Sequence, residues 1–223
     1  MKKRASRADA KIAPQPGEVQ TPQGTEQPVL PVRAQNLLDA AERLLVREGL
    51  SALTVDRIIA ESGEYRAAIR YYFGNKRGLI AALVDMLMAR SATGGVVEEA
   101  LSHPPGPDRV RVQVSMWQDQ AEDADATQAL QEVWPCVLRD PELRAKMAEL
   151  YKWYRDVDTS LYREGLEDAD PAELRALASV QTAAFDGLAL QRLLDPGDVD
   201  LDHCFEVLQR VVHLYLEDLR RRR

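Results

Sequence analysis

Residues 69–80 read IRYYFGNKRGLI. The spacing predicts the end of one helix, a tight turn and the start of another. Ile69 and Phe73 lie four apart and share one helix face, while Arg66 and Arg70 lie four apart on another, with Ala67 and Tyr71 beside them. That second face offers guanidinium forks, a small residue that permits close approach, and a phenol, all groups suited to base edges and phosphates. Tyr72 closes the helix, where a hydroxyl can meet a phosphate backbone. Asn75 caps the next helix, which opens with Lys76 and Arg77. The helix dipole favours acidic residues in a first turn, so two cations there cost a few tenths of a kcal/mol, up to ~1. The arrangement makes sense if a phosphate docks on the free backbone N–H groups and both cations.

Upstream of this stretch the pattern is also helical. Leu37, Ala41, Leu44 and Leu45 form one face of a first helix beginning at Val32 and ended by Gly49. Thr54 suits the N-cap of a short second helix with Val55, Ile58 and Ile59 inward, ended by Gly63. Two short helices joined near Gly63 have the form of a helix-turn-helix, whose second helix enters the major groove. The second runs to about Tyr72. Residues 1–31 hold five prolines between polar residues, with little that could be buried to offset ordering, and read as a disordered tail.

Downstream, the helix from Asn75 carries Leu79, Leu83, Met86 and Leu87, and Gly94 and Gly95 are expected to interrupt it. HPPGP at 103–107 is a firm break. The next helix shows Val110, Val114, Trp117 and Ala121 on one face, and another from about Ala126 to Leu138 is expected to break near Pro135. Pro141 opens a long helix with Leu143, Met147, Leu150, Tyr154, Val157 and Leu161 on one stripe, ended by a turn at 165–170. Two strongly apolar helices follow, 171–194 and 201–219, separated by DPGDVD at 195–200. The fold class expected is all-α: a three-helix head at 32–78 and a larger helical body at 79–223.

The chain of 223 residues has a net charge of −7, with +2 in residues 1–31, +2 in 32–90 and −11 in 91–223. A polyanion surface therefore belongs to the first ninety residues. Two separated cysteines, Cys136 and Cys204, suit a reducing compartment and offer no disulfide framework. No apolar run approaches the ~18 residues of a membrane span, so the expected location is the cytoplasm. His103, His203 and His213 are scattered, and no HExxH, GxSxG or Gly-rich phosphate loop occurs. The acidic EDAD at 122–125 reads as a solvated loop. No metal, cofactor or catalytic residue is expected. The competing reading is a helical small-molecule-binding or enzymatic bundle whose basic turn is incidental.

The segments AAERLLVREGLSALTVDRIIAESG and IRYYFGNKRGLI resemble the TetR family of transcriptional regulators. The resemblance implies a homodimeric, usually repressing protein that binds a double-stranded DNA operator. It aligns Thr54 and Lys76 with phosphate contacts, and Arg70, Tyr71 and Tyr72 with positions at the recognition-helix end that touch DNA. This chain departs from the pattern at Glu64, where a small apolar residue is usual, at Tyr65, where a Ser or Thr cap is usual, and at Arg70, where an aromatic is usual. AAFDGLALQRLLDPGDVDLDHCFEVL at 183–208 resembles the C-terminal region of BetI-type members. That implies dimerisation through 171–219, where Gly187 would be tolerated if another helix packs closely, and an effector pocket in the body. Candidate lining residues are Trp117, Trp134, Tyr151, Tyr154, Gln181 and Phe185, whose aromatic bulk suits an apolar or aromatic ligand.

Overall fold

The computed structural model describes residues 30–91, 99–100, 102–164 and 166–222. Residues 1–29 of the tail, and the expected interruption at Gly94 and Gly95, lie outside them, while Leu30 packs against the core and Pro31 precedes α1. Among the described residues the elements are α1 (Val32–Glu48), a single 3-10 turn (Leu50–Ala52), α2 (Val55–Ser62), α3 (Arg66–Phe73), α4 (Lys76–Ser91), α5 (Pro107–Glu122), α6 (Ala124–Arg139), α7 (Pro141–Arg163), α8 (Pro171–Leu194) and α9 (Leu201–Arg221), with no strand.

The helix starts follow from local chemistry. Asp123, Asp140, Asp170 and Asp200 cap α6 to α9, each carboxylate accepting a backbone N–H from Ala126, Glu142, Ala172 and His203 in turn. Each satisfies a donor that the helix leaves free and places negative charge at the positive end of the dipole. Pro107, Pro141 and Pro171 occupy first helical positions, where the missing N–H is no loss. Gly63 ends α2 in the left-handed conformation.

Pro135 does not break α6, which continues to Arg139. Val133 and Val137, one helical turn apart on either side of it, are fully buried and hold the last turn in register. Packing therefore outweighs the ~3 kcal/mol interior penalty of proline.

In the head, Leu37, Leu38, Ala41, Leu44, Leu45, Leu53, Ile58 and Ile69 form a core to which α4 contributes Leu79 and Leu83. The expected division at 78/79 falls inside α4. That helix is a strut: its start meets α3 and α1, and its length packs on α6 and α7. Accordingly, Leu79, Leu83, Val84, Leu87, Met88 and Ala89 are all buried. In the body α7 lies along α8, and α5 packs on α8 and α9.

Polar ties join the head to the α6–α7 side of the body. Gln128 donates its amide to the Val46 carbonyl (2.7 Å), and Glu132 accepts the Leu50 N–H (2.9 Å). Arg77 donates Nε and Nη2 to one oxygen of Asp140, at 3.0 and 2.7 Å.

Candidate nucleic-acid interface and the cavity of the body

The α3 helix buries Ile69 and turns Arg66, Ala67, Arg70 and Tyr71 outward, the last 83% exposed. Tyr72 is half-buried, its ring meeting Tyr71 edge-on at 4.9 Å between centroids. Thr54 is exposed at the start of α2 and accepts the Arg57 N–H, while Lys76 is exposed at the start of α4. Asn75 accepts the Gly78 N–H at 3.0 Å and caps α4.

Arg66 is engaged by Asp56 of α2, a fully solvated pair. Such a pair contributes little and can exchange for a phosphate or base. Arg77, at the basic helix start, is committed to Asp140 and through it to the body. That contact holds the Asp140 carboxyl below, and the Arg77 guanidinium above, their ordinary ranges.

Of the two departures in the turn, Glu64 has a structural replacement and Tyr65 has none. Glu64 accepts a hydrogen bond from the Asn36 amide (3.1 Å) and lies 3.9 Å from Arg33, so an anchored carboxylate fixes the turn to α1. Tyr65 stands at the N-cap of α3 without a side-chain cap and is exposed.

In the body a cavity of about 540 Å³ lies between α4, α5, α6, α7 and α8. Trp134, Tyr151, Tyr154 and Phe185 form an aromatic wall, with Leu130, Met147 and Leu150 as apolar floor. Trp134 and Tyr151 rings are 6.2 Å apart, and Tyr151 and Tyr154 6.0 Å. Trp117 and Gln181 do not line it. Trp117 is buried behind the wall, its ring meeting Tyr154 edge-on (4.7 Å between centroids) and Phe185 at a tilt (5.0 Å). Gln181 is buried in a polar cluster, where its carbonyl accepts the Tyr162 hydroxyl and its amide donates to Asp158 at 3.2 Å. Helical spacing points both toward the cavity, but it cannot distinguish the inner row of a wall from the row behind it.

Asp186 also lines the cavity and accepts the Tyr151 hydroxyl at 2.7 Å. Burial pushes its carboxyl up, opposed by that hydrogen bond, and burial and the neighbouring charge push the Tyr151 phenol up. Asp119 and Asp123 add two further carboxylates to the lining. The arginine in the lining, Arg90, is paired with Glu42 at 2.6 Å.

The family model of bacterial regulatory proteins of the tetR family matches residues 37–83, and that of the BetI-type transcriptional repressor C-terminal region matches 110–217. The chain belongs to the TetR family. Its C-terminal region is BetI-like, and it is a DNA-binding transcriptional regulator rather than an enzyme. The HTH-type transcriptional regulator BetI of Rhizobium meliloti is 25% identical over 188 residues, covering 83% of this chain and 90% of the relative. The transcriptional regulator FadR from Bacillus subtilis, solved in complex with stearoyl-CoA, shares the fold at a TM-score of 0.66 and 18% identity, over 80% of this chain and 97% of that one. A putative regulator from Saccharomonospora viridis, solved in complex with choline, does so at 0.64 and 22%, over 80% and 94%.

In this TetR-family chain sequence reading misses three residues. Asp186 is a lone acidic residue on an apolar helix and carries no motif. Asp140 precedes the helix start at Pro141, and nothing local announces its hold on Arg77, 63 positions away. Gly78 gives no signal in the sequence, yet a Cβ on it would stand 2.0 Å from the Phe73 carbonyl oxygen. No described helix is long and apolar enough to cross a membrane.

Proposed function

We propose that this regulator is a cytoplasmic, ligand-responsive repressor that binds a near-palindromic operator as a homodimer. Thr54 and Lys76 hold phosphates, while Arg66, Ala67, Arg70, Tyr71 and Tyr72 meet the major groove, in a head at 32–78 joined to a sensing body at 79–223. The observation that carries the reading is the double use of α6. Thr127, Leu130, Gln131 and Trp134 line the cavity, and Gln128 and Glu132 of the same helix grip the end of α1 and the turn after it. A ligand that repositions α6 changes the seat of the head, and it acts to the extent that it prefers the non-operator spacing.

The ligand class follows from the lining. An aromatic wall beside carboxylates, with the lining arginine already paired, favours an organic cation with an apolar or aromatic body. Cation–π attraction contributes about 0.5–2 kcal/mol. Of the molecules held by the structural neighbours, choline fits this chemistry and an acyl-CoA does not.

Mobility shift with the DNA upstream of the chain's own gene tests the first part: a complex at 50 mM salt that weakens steeply by 200 mM is expected, and no complex at 50 mM refutes it. Tryptophan fluorescence titrated with choline, benzyltrimethylammonium and the neutral 3,3-dimethylbutanol tests the second. The cations are expected to bind at least about tenfold more tightly than the neutral isostere, and equal binding refutes the cationic class.

A further inference from the structure

The outer face of α8 carries Val180, Ala183, Gly187, Leu190 and Leu194 at alternating three- and four-residue steps, all exposed except the half-buried Gly187. On α9, Val207, Val211 and Leu214 repeat the same steps and are about half exposed. Such spacing is a seam for helices that pack side by side. Its flank is self-complementary in charge, since Glu206 and Arg210, both exposed, lie four apart beside Val207 and Val211.

Gly187 sharpens this. A glycine inside a helix is about 1 kcal/mol less favourable than alanine, and nothing among the described residues of this protomer requires it, because a Cβ there would meet no atom within 4 Å. Gly187 and Leu190 nevertheless belong to the lining of the cavity, together with Asp186. One short segment of α8 is therefore both outer face and rim of the ligand site.

We propose that a second copy of this chain lies across α8 at Gly187, the two glycines facing each other at the two-fold axis, and completes the cavity wall at Asp186 and Leu190. The inference rests on the homodimer reading above and adds where the protomers cross and what the crossing does. Helix axes approach to about 8 Å where side chains are small. With Cα atoms about 2.3 Å off each axis, the facing backbones come within disulfide reach only at the crossing. Ligand binding and association are then linked, each strengthening the other.

The test uses the full chain with Cys136→Ser and Cys204→Ser, carrying one new thiol at a time through Val180→Cys, Gly187→Cys or Leu194→Cys. Under mild oxidation Gly187→Cys is expected to give a cross-linked dimer, faster than either flanking position. A dimer whose thiols at 187 stay reduced while a flanking pair closes overturns the crossing. A wild-type chain that sediments as a monomer at micromolar concentration refutes the homodimer reading itself. For the wall, Val180→Asp with Leu194→Asp, neither at the cavity, is expected to give monomers that bind benzyltrimethylammonium at least tenfold more weakly. Monomers that bind it as the dimer does refute closure by the partner. If the wild-type chain does not bind this probe at all, the cationic reading fails and closure fails with it, while the cross-linking result stands.

Discussion

Gly78 and Asp158 show how single residues set limits that spacing does not reveal. At Gly78 the neighbouring atom is the backbone carbonyl of Phe73 at the end of α3, which cannot move aside as a flexible side chain would. Gly78→Ala is expected to lower head stability by about 1–3 kcal/mol and to weaken DNA binding, as read by thermal melting and mobility shift; an unchanged melting temperature would show that the turn adapts. Asp158 is wholly buried and accepts hydrogen bonds from Gln113 at 2.5 Å and from Gln181. Burial raises its carboxyl to about 7, opposed by the Gln113 hydrogen bond. The folded state then binds a proton that the unfolded chain releases near pH 4, so this group's contribution falls as pH rises from about 4 to about 7 and is level above. Asp158→Asn is expected to gain on the wild type across that window, by a few kcal/mol at most, in denaturant midpoints measured from pH 4 to 8. A difference independent of pH would refute the assignment. Burial raises the Asp186 carboxyl too, but its effect on function runs the other way: cation affinity is expected to fall as pH drops and Asp186 takes up a proton, and Asp186→Asn is expected to remove that dependence in a fluorescence titration.

Among the elements, α4 and the α6–α7 junction decide how head and body meet. Asp140 does two things there: one oxygen caps α7 through the Glu142 N–H, and the other holds Arg77. A capped N–H stabilises a helix start more than an ion pair open to water does. Asp140→Ala is therefore expected to destabilise more than Arg77→Ala in urea unfolding, with the double mutant close to Asp140→Ala alone. The reverse order would mean that the ion pair stabilises the junction more than the cap does. Because Arg77 is bound to the body, the phosphate contact proposed at the basic start of α4 falls to Lys76. Glu132 explains a further constraint: Gly49, at a φ of 78°, lies so close that a Cβ would stand 3.0 Å from the Glu132 carboxylate. Both the backbone conformation and the head–body contact favour glycine there.

For the whole molecule, the charge is divided so that the body, unlike the first ninety residues, repels a polyanion. The body's share of −11 repels DNA, in keeping with the contact surface proposed on α2, α3 and the start of α4. Lys76→Ala is expected to weaken binding to all sequences and to flatten the salt slope by about one unit, and Arg77→Ala to change the slope less. Arg70→Ala is expected to change sequence preference in a binding-site selection, whereas a uniform loss of affinity would make Arg70 a phosphate contact. In the proposed homodimer two heads reach one operator, which multiplies affinity through effective concentration.

The sequence by itself determined the helices and the chemistry of the head. Thr54, Gly63, Asn75 and Pro141 act within one helical turn, so local spacing suffices to read them. Burial of Ile69 with exposure of Arg70 and Tyr71 likewise follows from helical period. What only the tertiary structure decided depends on residues far apart in the chain: which aromatics face the cavity and which stand behind it, the carboxylate of Asp186 among them, the survival of α6 through Pro135, and the hold of Asp140 on Arg77. Helical periodicity says that a side chain faces inward, but the identity of what it meets is fixed by how separate helices pack, and no local pattern carries that information.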